Sequence, residues 1–167
     1  GCETVVFGAS TSVVTTNATT LVPPPGIQVS SGNSFTVAVM LAQVEEARRK
    51  MGIRRDARLA VVGAGGNIGS AIVRWFAQQG RWHGPILITG RPGSRARLSE
   101  LQAELEAFSS TPRIEISENI NDLQSCDLIV VAISGDGVVL QSHHVDPFRT
   151  VLVADVSQPR AVAASLA

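Results

Sequence analysis

The feature that most constrains this chain is a run of glycines in one particular place, Val61-Val62-Gly63-Ala64-Gly65-Gly66-Asn67-Ile68-Gly69. It follows a β-branched apolar stretch, Arg58 to Val62, and opens a segment of helical composition, Asn67 to Gln79. Strand, glycines and helix in that order make more than a turn. Gly63 lets the chain leave the strand tightly, Gly66 lets the backbone approach a pyrophosphate, and Gly69 permits close helix packing, with free amides at the helix start aimed at the anion. The spacing is G-x-x-G-x-x-G, which departs from the G-x-G-x-x-G fingerprint because Ile68 stands in the third glycine's place. A tight βα turn with no ligand is the competing reading, and the flanking strand and helix favour the nucleotide.

The rest of the chain repeats the pattern. Short β-branched runs at Pro85–Thr89, Arg113–Ile116, Asp127–Ala132 and Thr150–Ala154 alternate with longer segments of helical spacing, the signature of βαβ units and a parallel sheet. The expected fold class is α/β, a doubly wound and mostly parallel sheet of the Rossmann kind. The runs at 58–62, 127–132 and 150–154 are apolar on both faces, as helices on both sides of a sheet would require. Ser94 to Phe108 pairs Arg97 with Glu100, and Leu98 with Leu101 and Leu105, giving one charged and one apolar face. Upstream, Phe35 to Met51 reads as a long helix, with Asn33 or Ser34 as its cap, basic residues at its far end and Gly52 as its stop.

Residues 22–26, Val-Pro-Pro-Pro-Gly, form a stiff connection after a Thr-rich, β-prone opening. Residues 1–30 are therefore assigned to a neighbouring substrate-side lobe or linker, and 31–167 to the nucleotide-binding domain with its leading helix. The chain's 167 residues amount to about one domain. The start at Gly1 and a final stretch, Arg160 to Ala167, that reads as a helix suggest a piece of a longer protein.

Which dinucleotide would bind is set at the end of the second strand, where NAD enzymes place an acid on the ribose 2′-hydroxyl. Here the stretch is Thr89-Gly90-Arg91-Pro92-Gly93-Ser94-Arg95-Ala96-Arg97, with no carboxylate before Glu100. Hydroxyls and guanidinium groups suit a 2′-phosphate, and a carboxylate would repel it, so the expected cofactor is NADP(H). The candidate cofactor residues are Gly63, Ala64, Gly65, Gly66, Asn67 and Ile68 in the first turn and Thr89, Gly90, Arg91 and Ser94 in the second. Ile133, Ser134 and Asp155 join them from the two later loops, which would border the nicotinamide ribose and ring.

Lys+Arg and Asp+Glu cancel at 14 each, which argues against nucleic acid as a partner. No apolar run reaches the roughly 18 residues of a membrane span, and no leader is visible, so the expected setting is soluble and cytoplasmic. Cys2 and Cys126 lack the spacing of a zinc site or a disulfide framework. His143 and His144, adjacent and expected to point apart, make no metal site without further ligands. Ser10, Thr11 and Ser12 lack a spaced base, Asn17-Ala18-Thr19 carries no meaning as a glycosylation acceptor in a cytoplasmic chain, and Trp75 and Trp82 read as packing.

Ser31-Gly32-Asn33-Ser34-Phe35-Thr36, the long helix, and Ala60 through Ala71 followed by Arg74-Trp75 resemble the long-chain acyl-acyl-carrier-protein reductases of cyanobacteria. Phe7 to Val14, Cys126 to Val130 with Ser134, Gly137 to Val139, and Asp155 to Pro159 follow in the same family's order. More distantly, the chain is similar to the dinucleotide halves of glutamyl-tRNA reductase and shikimate dehydrogenase. The resemblance implies NADPH-dependent reduction of a fatty acyl thioester to an aldehyde through a cysteine, with an acyl thioester or acyl carrier protein as partner. In that family the cysteine lies beyond the dinucleotide domain, and Cys126 opens a buried strand. No catalytic residue is therefore assigned here, and the isolated chain is expected to be inactive. A non-catalytic nucleotide-binding module is the alternative. So is a shikimate dehydrogenase-like enzyme of a small polar substrate, which would want a Lys and Asp pair where this chain has only Lys50. A homo-oligomer stays open.

Overall fold

Stretches of four apolar residues in succession lose least when both faces of a strand are covered, and two central strands of the sheet, Leu59–Val62 and Leu128–Val131, are built from them. The computed structural model describes residues 3–7, 20–78, 81–107, 112–135 and 137–166. Cys2, Gly8 to Val14, Asn17, Gln79, Phe108, Asp136 and Ala167 lie outside the described residues.

Among the described residues, three elements precede the main sheet. Strands β1 (Thr4–Val6) and β2 (Gln28–Ser30) pair in parallel as a separate two-stranded sheet, followed by helix α1 (Asn33–Lys50). Then come β3 (Leu59–Val62), α2 (Asn67–Gln78), β4 (Ile86–Thr89), α3 (Arg95–Glu106), β5 (Ile114–Ser117), β6 (Leu128–Val131) and β7 (Leu152–Asp155). The strand order is β5-β4-β3-β6-β7, with every neighbouring pair parallel. The expected parallel, Rossmann-like sheet is found, with its order reversing at β3 and each strand within a residue or two of its sequence reading. Register aligns the strand ends: Val62 lies level with Thr89 and Val131, and Val131 level with Asp155. The glycine turn and the loops after β4, β6 and β7 therefore leave the sheet along one edge.

One face carries all three α-helices of the described residues. Val37, Met40, Leu41 and Val44 of α1, Ile72, Val73 and Phe76 of α2, and Leu98, Leu101 and Leu105 of α3 cover Leu59, Val61, Ile86, Ile88, Leu128 and Val130. Each such side chain contributes about 1.5–3 kcal/mol on burial. Trp82 closes this core beside Phe76 and donates its indole N–H to Ala57 O at 3.0 Å. Trp75 packs edge to face on Phe76 beneath the Arg81 guanidinium, so both tryptophans are packing residues as expected.

The opposite face departs from the expectation of helices. Among the described residues it is covered by two 3-10 turns, Ile120–Ser125 and Ser142–His144, and by the chain around Ala161 and Val162. The final stretch is not the helix its composition suggests. Val162 forms a parallel bridge with Leu140, and only Ala164–Leu166 turns, as a 3-10 helix. At the start of α1 the cap is Gly32, at φ +75°, rather than the side chain of Asn33 or Ser34, both of which are already helical. The Ser30 hydroxyl accepts from Gly32 N at 3.2 Å and that of Ser31 from Asn33 N at 3.4 Å. The helix ends as expected, with Arg48, Arg49 and Lys50 in its last turn and Gly52 just beyond.

Candidate functional site

The glycine turn is tied to the neighbouring strand before it reaches its helix. Gly63 N and Ala64 N both donate to Thr89 O, at 2.8 and 3.1 Å, which joins the first loop to the end of β4. Gly63 has φ +84°, and a Cβ there would collide with Ala132 O at the end of β6. A Cβ on Gly69 would collide with Gly63 O, so the first turn of α2 packs directly on the loop backbone. Gly66 is different. It is exposed, and a Cβ there would meet only Gly63 O, at 3.3 Å. Space is thus kept open where the first-turn amides of α2, which have no intrahelical acceptors, end. Asn67 is exposed, Gly65 and Ile68 are half-buried, and Ala64 is fully buried with its amide on Thr89 O, so Ala64 has no N–H left for a ligand.

The loop after β4 brings the second group together. Thr89 is buried, with its carbonyl held by the glycine turn, while Arg91 is exposed. Ser94 lies under Gly90 so closely that a Cβ on Gly90 would strike its hydroxyl. That hydroxyl is buried and has no hydrogen-bond partner, a polar atom waiting for one. Arg97, in the first turn of α3 just beyond this loop, joins the site. Its stem lies across Gly65, with Cδ 3.4 Å from where a Cβ would stand. A cavity of about 190 Å³ opens there, between the turn, α2 and α3, and is bounded on its far side by the Arg74–Glu104 ion pair at 2.7 Å.

The third group is arranged otherwise than its residues suggest. Ile133 is half-buried, and its amide donates to Ser157 Oγ at 3.1 Å; Ser134 is exposed. Asp155 turns its carboxylate onto its own loop, accepting from Ser157 N at 2.9 Å, Ala161 N at 2.8 Å and Val162 N at 3.1 Å. A cavity of about 510 Å³ lies beside it, lined by Val153, Asp155, Ser157, Arg160, Val162 and Leu166. Ser157 was missed at the sequence level, since nothing local marks a serine as the acceptor for an amide 24 residues away.

Cys126 is fully buried at the entry to β6, and burial pushes its thiol above the ordinary range, against the nearby Arg58 guanidinium. It has the character of a structural thiol. His143 and His144 do not point apart: their rings lie 3.9 Å between centroids, tilted at 60°. His144 is buried, its Nδ1 accepts from Gln141 N at 3.1 Å, and burial followed by the neighbouring His143 holds its pKa below the usual histidine range. Among the described residues, no group of three or more His, Cys, Asp or Glu side chains converges as metal ligands.

Could these residues hold a dinucleotide? The open space at Gly66, the helix start and the orphan Ser94 hydroxyl beside a carboxylate-free loop all fit one. A five-stranded parallel sheet in this order, with a glycine turn at the strand where the order reverses, is a Rossmann-type nucleotide-binding domain of the oxidoreductase kind. The chain belongs to the family described as Shikimate / quinate 5-dehydrogenase, which matches residues 45–167. Over 113 residues it is 39% identical to the long-chain acyl-[acyl-carrier-protein] reductase of Synechococcus elongatus, the relative expected from its motifs. That match takes in 66% of this chain and 30% of the relative, so the chain spans under a third of that protein's length.

Two solved structures share the fold. The nucleotide-binding domain of glutamyl-tRNA reductase from Thermoplasma volcanium superposes with a TM-score of 0.53 at 15% identity, over 76% of this chain and 79% of that one. A dipicolinate synthase subunit from Bacillus halodurans gives 0.58 at 14%, over 94% and 52%. No helix among the described residues is long and apolar enough to cross a membrane.

Proposed function

We propose that this chain is the NADPH-binding part of an oxidoreductase that reduces a fatty acyl thioester to an aldehyde. The observation that carries the cofactor reading is the loop after β4: a buried, unpartnered Ser94 hydroxyl and an exposed Arg91, with no carboxylate on the stretch between β4 and Glu100. In this reading the amides of Gly65, Asn67 and Ile68 hold the pyrophosphate over Gly66, whose own amide is bonded to Gly63 O at 3.0 Å, while Thr89, Gly90, Arg91 and Ser94 surround the 2′-phosphorylated ribose. Ile133 and Ser134 border the nicotinamide end. The bound cofactor supplies hydride; the chain's own part is to orient it and to keep acid away from the 2′-phosphate. Titration with NADPH and NADH tests this, with NADPH binding the more tightly; equal affinities would remove the choice of cofactor.

The thioester rests on the 39% identity to an acyl-acyl-carrier-protein reductase. Residues 1–30 then belong to a substrate-side lobe or linker and 31–167 to the cofactor domain. Cys126, buried and with a raised thiol pKa, is a poor nucleophile, and the chain contains no tyrosine to protonate an alkoxide. The isolated chain is expected not to oxidise NADPH when given a long-chain acyl-carrier thioester. Turnover that persisted in a Cys2→Ala, Cys126→Ala double variant would overturn a covalent scheme.

The family match over residues 45–167 favours, as a second reading, a dehydrogenase of a small polar substrate. That chemistry wants a lysine for proton transfer, and the sole lysine, Lys50, is exposed at the end of α1 in an ion pair with Glu46 at 2.7 Å. Reduction of NADP⁺ by a small polar alcohol in the parent protein would favour it.

A further inference from the structure

Asp155 ends β7 at the sheet edge where the cofactor loops gather, yet both its oxygens are engaged inward. Oδ1 accepts from Ser157 N at 2.9 Å, and Oδ2 from Ala161 N at 2.8 Å and Val162 N at 3.1 Å. An anion with three backbone donors is strongly held, because charge-assisted hydrogen bonds are roughly twice as strong as neutral ones. The carboxylate thus draws residues 156–162 into an arch whose two feet rest on the segment between β6 and β7. At one foot, Ser157 Oγ accepts from Ile133 N at 3.1 Å. At the other, Val139 N and Leu140 N donate to Ala161 O at 2.8 and 3.1 Å, and Ala163 N returns a bond to Leu140 O at 2.9 Å.

We infer that Asp155 is a positioning residue, which fixes the Ser157 hydroxyl and the Ile133–Ser134 backbone as the nicotinamide half of the site. The inference rests on the dinucleotide reading above. Ser157 uses its oxygen as an acceptor, so its hydroxyl proton stays free to donate to a ribose or carboxamide oxygen. Asp155, with both oxygens occupied by backbone N–H groups, acts only through the arch.

The test compares NADPH with adenosine 2′,5′-bisphosphate, which carries the adenosine half alone. In Asp155→Asn an amide NH₂ replaces one acceptor and faces a backbone N–H. NADPH affinity should fall about tenfold or more, the worth of a lost hydrogen bond to a charged group. The bisphosphate should bind as before. Ser157→Ala, which deletes only the hydroxyl, should reproduce much of the loss, and the double variant should be no worse than Asp155→Asn alone, because both act through one linkage. Emission from bound NADPH, which senses the nicotinamide surroundings, should change in both. Equal losses for NADPH and bisphosphate would make Asp155 a general structural residue and overturn the inference, as would additive losses, the mark of two independent ligand contacts. Should Asp155→Asn fail to fold, Ser157→Ala decides alone: unchanged NADPH binding and emission would overturn it. Wild-type protein that bound neither compound would instead refute the dinucleotide reading itself.

Discussion

The two halves of the sheet's carboxyl edge are held in place by different means. On one side, the glycine turn and the loop after β4 are fixed by backbone packed on backbone: Gly63 and Ala64 on Thr89 O, and Gly69 against Gly63 O. On the other, side chains reaching backbone, Asp155 to three amides and Ser157 to one, add to the backbone bonds between Leu140 and the Ala161–Ala163 stretch in fixing the loops after β6 and β7. Backbone packing leaves no side chain to exchange, so the first side tolerates change only where space is open. The second side can be loosened one hydrogen bond at a time.

The comparison breaks most visibly at two neighbouring glycines. Gly69→Ala drives a methyl into Gly63 O, and overpacking of this kind costs about 1–3 kcal/mol or more. Urea unfolding should show that loss whether or not cofactor is present. Gly66→Val meets only Gly63 O at 3.3 Å and should leave the fold largely intact by circular dichroism while abolishing NADPH binding, because the valine fills the space that a pyrophosphate needs. A folded Gly66→Val variant with normal NADPH affinity would reduce the glycine run to a turn.

A smaller effect sharpens the first side further. Arg91 is exposed on the loop after β4, and Arg91→Ala should cost on the order of 1.5–3 kcal/mol for NADPH, the worth of a hydrogen bond to a charged group, and little for NADH. Equal losses for the two cofactors would mean that Arg91 does not touch the 2′-phosphate. Arg97, whose stem crosses Gly65, is then the next guanidinium to substitute.

The same contrast explains what could be read without a structure. The first side is contiguous in sequence, and each of its determinants is local: a β-branched run that becomes β3, glycines at fixed offsets, a helical period after them. The second side is assembled from residues far apart. The stretch after Arg160 has helical composition, yet Ala161 and Val162 are held extended because their amides belong to Asp155 and Val162 pairs with Leu140. Composition cannot report a carboxylate six residues upstream taking those donors. Likewise, Asn33 and Ser34 are good caps by type, but Gly32 in the left-handed region lets the helix begin earlier, with serine hydroxyls just upstream taking the first amides. Adjacent histidines point apart on a strand; in a 3-10 turn their rings come together at a tilt.

The smallest effect tests whether the second side has its own weak point. His144 is buried in the turn Ser142–His144 and accepts from Gln141 N through Nδ1, which requires the neutral ring. Burial, followed by His143, lowers its pKa from the usual 6.5, so the unfolded chain takes up a proton more readily than the folded one. Stability from this group is present in full above about 6.5 and is lost as pH falls through the folded pKa. His144→Gln keeps an oxygen that can accept from Gln141 N but cannot titrate in this range. The variant should therefore lack the part of the stability decline below 6.5 that the wild type shows, a difference of about 1 kcal/mol or less, the scale of one cap. Because Gln141 follows Leu140, whose amide and carbonyl bind Ala161 and Ala163, the loosening should reach the arch before it reaches the glycine turn. Mild acid should then weaken NADPH binding more than adenosine 2′,5′-bisphosphate binding in the wild type, and the gap should close in His144→Gln; a gap unaffected by the substitution would mean that the turn and the arch are independent.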